Sequence, residues 1–425
     1  MEAHCSSRDE PFIIGDGDVV GGFLHIDLDS PVPLYLCFPP DFPHSLAGKC
    51  VRILHAIYGL KRASQLFSAE FTRVVESVGF RQSIVEKQVY IRSDPLDPGL
   101  MCVAAITVDD ALMVSNSQEL VDILLAALTA RFGKLTFNAV TSVHTGLEIS
   151  QPPGGGVLVV QDRAIARAAS LIGVLHMPAV HVPVMKTFFD LPVDPAECVP
   201  VNPTVYSSLL GKLVQFLKTR FDVKPFVSEL CSHNQTSLEY HYRQAFHILR
   251  YLVSSPGVGP LFKADSRVVL SVTTDAAFGL LSGGRSSGAS LFTVGPNNAP
   301  FAVIAKALPT IALCPMTAEY LSAGVACQWI SHFTQFLADL GWSSDSPVVF
   351  TLDNKTAISL VTAPQVSKKS LWLNVRHHFI RELYDQKVIV MDYVPSARMR
   401  ANVLTKYLPC AAFLRERAVL FNCAG

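Results

Sequence analysis

The sequence predicts an α/β chain in two parts: an α+β first part built on a strand–turn–strand, then an α/β second part with a mixed sheet. Three observations carry this. Half of the 425 residues are hydrophobic and only 16% are charged, so the chain has cores to bury and is not disordered. Two apolar runs, Met101–Val108 and Ala111–Val114, flank Asp109-Asp110. From Val268 onward, strand-like and helix-like stretches follow in the order β-β-β-α-β-α-α-β-α.

Residues 12–28 alternate short apolar runs with glycines, and Pro31 to Pro43 is an extended, proline-punctuated stretch. Phe67, Phe71, Val74, Val75 and Val78 share one face of a helix that Gly79 stops. The two apolar runs at 101–114 predict strands joined by a tight acidic turn, which makes Val108 a buried residue. On that reading Val108→Asp costs the fold roughly several kcal/mol, as a buried unpaired charge. A helix is expected over Leu120–Phe132 and a hairpin around Pro152–Gly156. Six prolines in 178–203 mark a connector, and helices follow over Tyr206–Leu217 and Leu238–Leu252.

In the second part, Val268–Thr274, Ala289–Val294 and Phe301–Ala307 predict strands, and Ala318–Leu340 a long helix ended by Gly341. Val348–Leu352 reads as a strand, Thr356–Val361 and Arg376–Gln386 as helices, Val388–Val394 as a strand and Ala411–Leu420 as a final helix.

The charges balance at 35 basic and 35 acidic residues, which excludes a wholesale basic footprint for nucleic acid. They are uneven along the chain. Residues 1–48 hold one basic residue and eight acids, 49–92 hold eight and three, and 368–417 hold ten and four. The bland reading of these excesses is solvated faces. The charge-free stretches carry prolines, histidines and amides, so none is a clean membrane span, and the polar, acidic Met1–Pro11 is no secretory signal. Ten cysteines without a CxxC pair predict reduced thiols in an intracellular protein. Cys231, His233 and His241 lack the tight, repeated spacing of a zinc site.

Two acidic groups stand out. Adjacent carboxylates at Asp109-Asp110 repel each other and are costly to desolvate, and a divalent cation resolves both problems. Asp275 and Asp353 each follow a predicted strand, and Glu319 falls in the first turn of the intervening helix, so the three can meet at one sheet edge and hold two metals. The alternatives are a solvent-facing Asp-Asp turn, and two turn aspartates with a helix-start Glu.

These residues lie in a series that resembles the reverse transcriptase and ribonuclease H region of Ty/copia-type LTR retrotransposon polyproteins. Asp18-Val19-Val20-Gly21-Gly22-Phe23-Leu24-His25 resembles D-V-K-x-A-F-L-H, and Leu34-Tyr35-Leu36 through Pro39-Pro40-Asp41-Phe42 resembles Y-M followed by P-x-G-F. Tyr58-Gly59-Leu60-Lys61-Arg62-Ala63 is similar to Y-G-L-K-Q-A, Gly79-Phe80-Arg81-Gln82-Ser83 to G-F-x-x-S, and Thr107-Val108-Asp109-Asp110 to Y-V-D-D. Further on, Thr219-Arg220-Phe221-Asp222 resembles T-R-P-D, and Arg250-Tyr251-Leu252 the R-Y-L helix. Thr274-Asp275-Ala276-Ala277-Phe278 resembles S-D-A-D-W, Thr317-Ala318-Glu319-Tyr320 resembles E-A-E-Y, and Asp353-Asn354 the D-N motif. His378-Phe379-Ile380-Arg381-Glu382 resembles H-F-I-R-E, and Asn402-Val403-Leu404-Thr405-Lys406 resembles D-I-L-T-K.

The resemblance implies a reverse transcriptase palm/thumb region without fingers over residues 1–175, a proline-rich connector and helical connection over 176–264 and a ribonuclease H-like domain over 265–425. It implies that Asp18, Asp109 and Asp110 hold two Mg²⁺ (or Mn²⁺) for primer extension with dNTPs. Asp275, Glu319 and Asp353 would hold two more for cutting RNA in a hybrid. Lys61, Arg62, Arg376, Arg381 and Lys406 would meet phosphates of an RNA template, DNA primer or RNA–DNA hybrid. It also implies other polyprotein products as partners, and a place in cytoplasmic virus-like particles and the nucleus, with no membrane.

Departures go with the matches. The chain begins just before Asp18, so the fingers are expected to be absent. Val20 replaces the family lysine, Thr107 the tyrosine, Asn402 the fourth nuclease acid, and Leu371-Trp372-Leu373-Asn374 the K-H-I-D segment. Two readings stay open: an impaired reverse transcriptase with ribonuclease H, and a catalytically dead relic serving as a nucleic-acid- or protein-binding module. On the first, Asn402→Asp strengthens Mg²⁺-dependent cleavage.

Overall fold

The structure, a computed structural model, describes residues 12–28, 32–42, 45–108, 110–139, 142–153, 155–185, 188, 194–263, 268–295, 297–342, 346–363 and 379–422. The chain divides into two compact units, Met1–Thr145 and Gly146–Gly425.

The first unit contains β1 (Ile13–Val19), β2 (Tyr35–Cys37), β3 (Cys50–Arg52), α1 (Ala63–Ser77), β4 (Arg81–Gln82), β5 (Val89–Ser93) and β6 (Met101–Thr107). It continues with β7 (Asp110–Ser115), α2 (Gln118–Phe132), β8 (Leu135–Ala139) and β9 (Ser142–His144). Six strands form an antiparallel sheet in the order β4-β5-β6-β7-β1-β8. Along β6 and β7 burial alternates residue by residue, so one face is packed and the other is not. The packed face meets α1 and α2 through Phe67, Phe71, Leu124, Leu128 and Phe132. Ser117 starts α2 by accepting the Leu120 amide, and Gly79 ends the turn after α1 at φ 83°.

β2 and β3 pair so that Cys37 faces Cys50, and the two are disulfide-bonded with Cα atoms 4.1 Å apart. This corrects the expectation of reduced thiols throughout. The pair is legible only from register, because 13 residues separate the two in sequence.

The second unit begins with β10 (Leu147–Ser150) and β11 (Val157–Val160), a hairpin around the Pro/Gly turn as expected. Then come α3 (Asp162–Ile172), α4 (Pro203–Phe216), α5 (Lys224–Ser232), α6 (Glu239–Val253) and β12 (Leu261–Phe262). The helices share one core, with Leu213, Phe226, Ile248 and Leu249 fully covered. Beneath it lies a buried ion pair. Arg220 reaches Asp222 through Nη2 at 2.8 Å and donates from Nη1 to the Ser255 carbonyl at 3.1 Å. Tyr251 donates its hydroxyl to the same carboxylate. Burial opposes the ionised Asp222, but the guanidinium beside it prevails and holds its carboxyl below the usual range.

The remaining elements are β13 (Leu270–Leu281), β14 (Arg285–Val294), β15 (Ala299–Ala307), α7 (Pro315–Asp339) and β16 (Val348–Leu352). After them come α8 (Lys355–Thr362), α9 (Phe379–Asp385), β17 (Ile389–Tyr393) and α10 (Cys410–Phe421). Five strands make a mixed sheet, β15-β14-β13-β16-β17. β13, β14 and β15 run antiparallel, and β16 and β17 run parallel to β13. The mixed α/β class is therefore as the sequence predicts. Helix α7 packs its Tyr320, Ala323, Ala326, Cys327 and Ile330 against Val272, Phe292 and Phe350 of the sheet. No helix of the described residues is long and apolar enough to cross a membrane.

Candidate active site

In the first unit, β1 and β7 lie side by side with Asp18 directly across from Asp110, and Thr136 of β8 flanks Asp18 on the other side. Both aspartates are partly exposed, on the less buried face of the sheet. Asp109 lies outside the described residues. Thr107 pairs with Asp110, so the connection between β6 and β7 is tight. Val108 sits there at φ 61°, a costly conformation for a β-branched side chain. It is 39% exposed, so the expectation of a buried Val108 is wrong. The apolar run continues past the end of β6 into the turn, where the side chain leaves the core.

Asp16 shares the face of Asp18, two residues away, and its carboxylate meets Nδ1 of buried His144 at 2.7 Å. Sequence reasoning missed this pair, because 128 residues separate its members. Lys61 and Arg62 are exposed at the start of α1.

In the second unit, Asp275, Glu319 and Asp353 converge, each offering a carboxylate oxygen within 4.8 Å of the others. Three elements bring them together. Asp275 is on β13 and is completely buried; it lies inside the strand rather than after its end as expected. Asp353 follows β16, which pairs in parallel with β13. Glu319 comes from α7, which starts at Pro315, so Glu319 sits in the second turn rather than the first. At this level β14 has Gly288, opposite Ala276. A Cβ on Gly288 would lie 2.9 Å from the Ser322 hydroxyl oxygen and 2.6 Å from Leu308 Cδ2, so the glycine is what allows α7 to seat here.

The electrostatics of this cluster are unfavourable without a cation. Glu319 is only 6% exposed, its Oε1 accepts the Ala276 amide at 3.2 Å, and its Oε2 has no hydrogen-bond partner. Burial, then the charges of Asp275 and Asp353, push its carboxyl up to about 9. Burial likewise raises Asp275, against the pull of Lys406. Hard carboxylate oxygens around one point, one of them orphaned, are the donor set a hard divalent cation takes.

Asp275 has two donors from the C-terminal segment. Lys406 Nζ lies 3.2 Å from its carboxylate, the Thr405 hydroxyl donates to it, and Lys406 also donates to Asn402 Oδ1 at 2.8 Å. Lys406, expected at phosphates, thus points into the acidic cluster. Arg381 donates to the carbonyls of Leu360 and Ala363, which caps the end of α8. Arg376 lies outside the described residues. His233 and His241 stack face to face at 4.3 Å, and they are not part of a metal-ligand group among the described residues.

Comparison with known proteins shows what the chain resembles. Residues 5–186 match the family described as reverse transcriptase (RNA-dependent DNA polymerase). The chain is 26% identical over 399 residues to the retrovirus-related Pol polyprotein from transposon RE2 of Arabidopsis thaliana, covering 93% of this chain. Over residues 5–186 the chain resembles that family, and the relatives it matches along most of its length are retrovirus-related Pol polyproteins from transposons. It spans 27% of the length of that relative. Among solved structures, it is similar to the foamy viral protease–reverse transcriptase in complex with double-stranded DNA. That match has 12% identity, covers 93% of this chain and 60% of the other, and has a TM-score of 0.23. The N-terminal RNase H domain of a Mycobacterium tuberculosis protein matches with 13% identity over 35% of this chain and 96% of its own, at a TM-score of 0.24.

Proposed function

We propose that the chain is an RNA-directed DNA polymerase with an attached RNA–DNA hybrid ribonuclease. The observation that carries the proposal is the convergence of Asp275, Glu319 and Asp353 around an orphaned, buried carboxylate oxygen. The substrates are an RNA template, a DNA primer, dNTPs and the hybrid they form.

In the nuclease part, the three carboxylates would hold Mg²⁺ or Mn²⁺, which supplies an activated oxygen nucleophile and charge neutralisation at the phosphate. The chain's own residues fix the donor positions. The Ala276 amide orients Glu319, and the β13–β16 pairing fixes Asp275 against Asp353. In the polymerase part, Asp18 and Asp110 would do the same together with Asp109, with the strand register setting their spacing. Exposed Lys61 and Arg62 are proposed to meet backbone phosphates without reading bases. Arg376 is proposed to meet backbone phosphates as well, while Arg381 and Lys406 have the protein partners described above.

A second reading is a catalytically dead relic serving, if at all, as a nucleic-acid- or protein-binding module, and Lys406 on Asp275 with Asn402 behind it favours this reading. One gel separates the two. A doubly labelled RNA template with a DNA primer is incubated with the full chain, Mg²⁺ and dNTPs. The active reading predicts RNA shortening lost in Asp275→Asn and primer lengthening lost in Asp110→Asn. Unmoved bands with folded protein contradict the active reading and leave the second one.

A further inference from the structure

The residue that departs most from a plain metal centre is Lys406. Its ammonium lies 3.2 Å from both carboxylate oxygens of buried Asp275 and 2.8 Å from Asn402 Oδ1. Asn402 in turn is anchored by its amide nitrogen, which donates to the Ser396 carbonyl at 2.6 Å. The turn over Asn402–Leu404 presents both side chains, four residues apart, to the same point. Thr405 completes the arrangement by donating to Asp275. Asp275 therefore has two donors from the C-terminal segment, whereas Glu319 Oε2 has none.

We propose that Lys406, steered by Asn402, is a built-in cation that neutralises Asp275 in the metal-free protein and that a divalent metal must displace to bind there. This rests on reading the acidic triad as a metal site. Two consequences follow from charge alone. The ammonium stabilises the empty cluster, in which three carboxylates otherwise repel one another. For the same reason it competes with the incoming ion, so its removal strengthens metal binding while weakening the metal-free fold. A phosphate-binding lysine would do neither. Asn402→Asp would give Lys406 a second carboxylate and ease its release from Asp275.

The test is calorimetric titration of the full chain with Mn²⁺, together with melting temperature with and without Mn²⁺, on the wild type, Lys406→Gln and Asp275→Asn. The Asp275→Asn titration gives the binding that belongs to the rest of the chain, and is subtracted. The proposal expects Lys406→Gln to melt lower without metal, and to bind Mn²⁺ at the Asp275-dependent site at least about tenfold more tightly. Equal or weaker binding in Lys406→Gln, with intact binding in the wild type, overturns the role of Lys406 and leaves the metal site standing. No Asp275-dependent binding in either protein overturns the metal site itself, and the proposal with it.

A measurement on the wild type guards against a variant that does not fold. Reductive methylation of Lys406, read by peptide mass spectrometry, is expected to be slow without metal and faster in Mn²⁺, as the amine is released. In Asp275→Asn it is expected to be fast in both conditions. Reactivity that ignores Mn²⁺ in the wild type overturns the displacement.

Discussion

Gly288 sets how closely α7 lies on the sheet beside the acidic triad. With a Cβ there, Ser322 on the helix must give way, and with it the turn that carries Glu319. Gly288→Ala should therefore destabilise the second unit by about 1–3 kcal/mol as overpacking, read by denaturant unfolding. Val108 is the contrary case. It is exposed and holds φ 61°, which Asp adopts more readily than Val, so Val108→Asp should change stability by less than ~0.5 kcal/mol. A loss of several kcal/mol would mean the turn is packed. Asp222 holds a fully buried ion pair in the helical core. Asp222→Asn leaves the Arg220 guanidinium buried without its counter-charge and should cost about 3–5 kcal/mol at neutral pH. Because its folded carboxyl titrates below the ordinary 3.8, the pair's stabilisation is fully present above that pH and is lost only as pH falls further. Acid unfolding of the variant should lack that final loss.

Among the elements, α6 carries a pH-sensitive start. Its first turn is closed by His241, whose Nδ1 accepts the Leu238 amide, while the ring stacks on His233 and meets Tyr240 edge-on. Burial, with His233 alongside, lowers His241 from 6.5 to about 4. Between those values the unfolded chain binds the extra proton and the folded one does not, so stability falls as pH drops through this window. Melting temperature measured between pH 7 and 4.5 should fall, and should fall less in His241→Asn, which keeps an acceptor at the cap. The same scale shows what the sequence makes legible. Helix α1 carries a clean stripe of Phe and Val, and β16 is bounded sharply, so both read directly. Helix α5 does not, because Pro225 at its first turn looks like a break when it is a helix start. Helix α3 is strongly amphipathic, with Ile165, Ala168 and Ala169 on its buried face, so its spacing too makes it legible. β13 extends through Asp275 because a buried, paired strand accepts a polar residue wherever partners from other elements meet it, and those partners lie 44 to 131 positions away.

For the whole molecule, the two units have separate cores, and each carries its own acidic residues. The six candidate acids are legible in the sequence through the ordered motifs. The Asp16–His144 pair and the grip of Lys406 on Asp275 are not, because spacing gives no hint of contacts made across the fold. On this account, substitutions in one unit leave the chemistry of the other intact, and metal dependence belongs to the carboxylates. The most direct test is the rate of RNA cleavage in a uniform RNA–DNA hybrid as Mg²⁺ is raised from zero, with Asp110→Asn and Asp275→Asn beside the wild type. The account predicts cleavage that requires Mg²⁺, survives Asp110→Asn and disappears in Asp275→Asn. Cleavage that persists in folded Asp275→Asn, or that is indifferent to Mg²⁺, would contradict it.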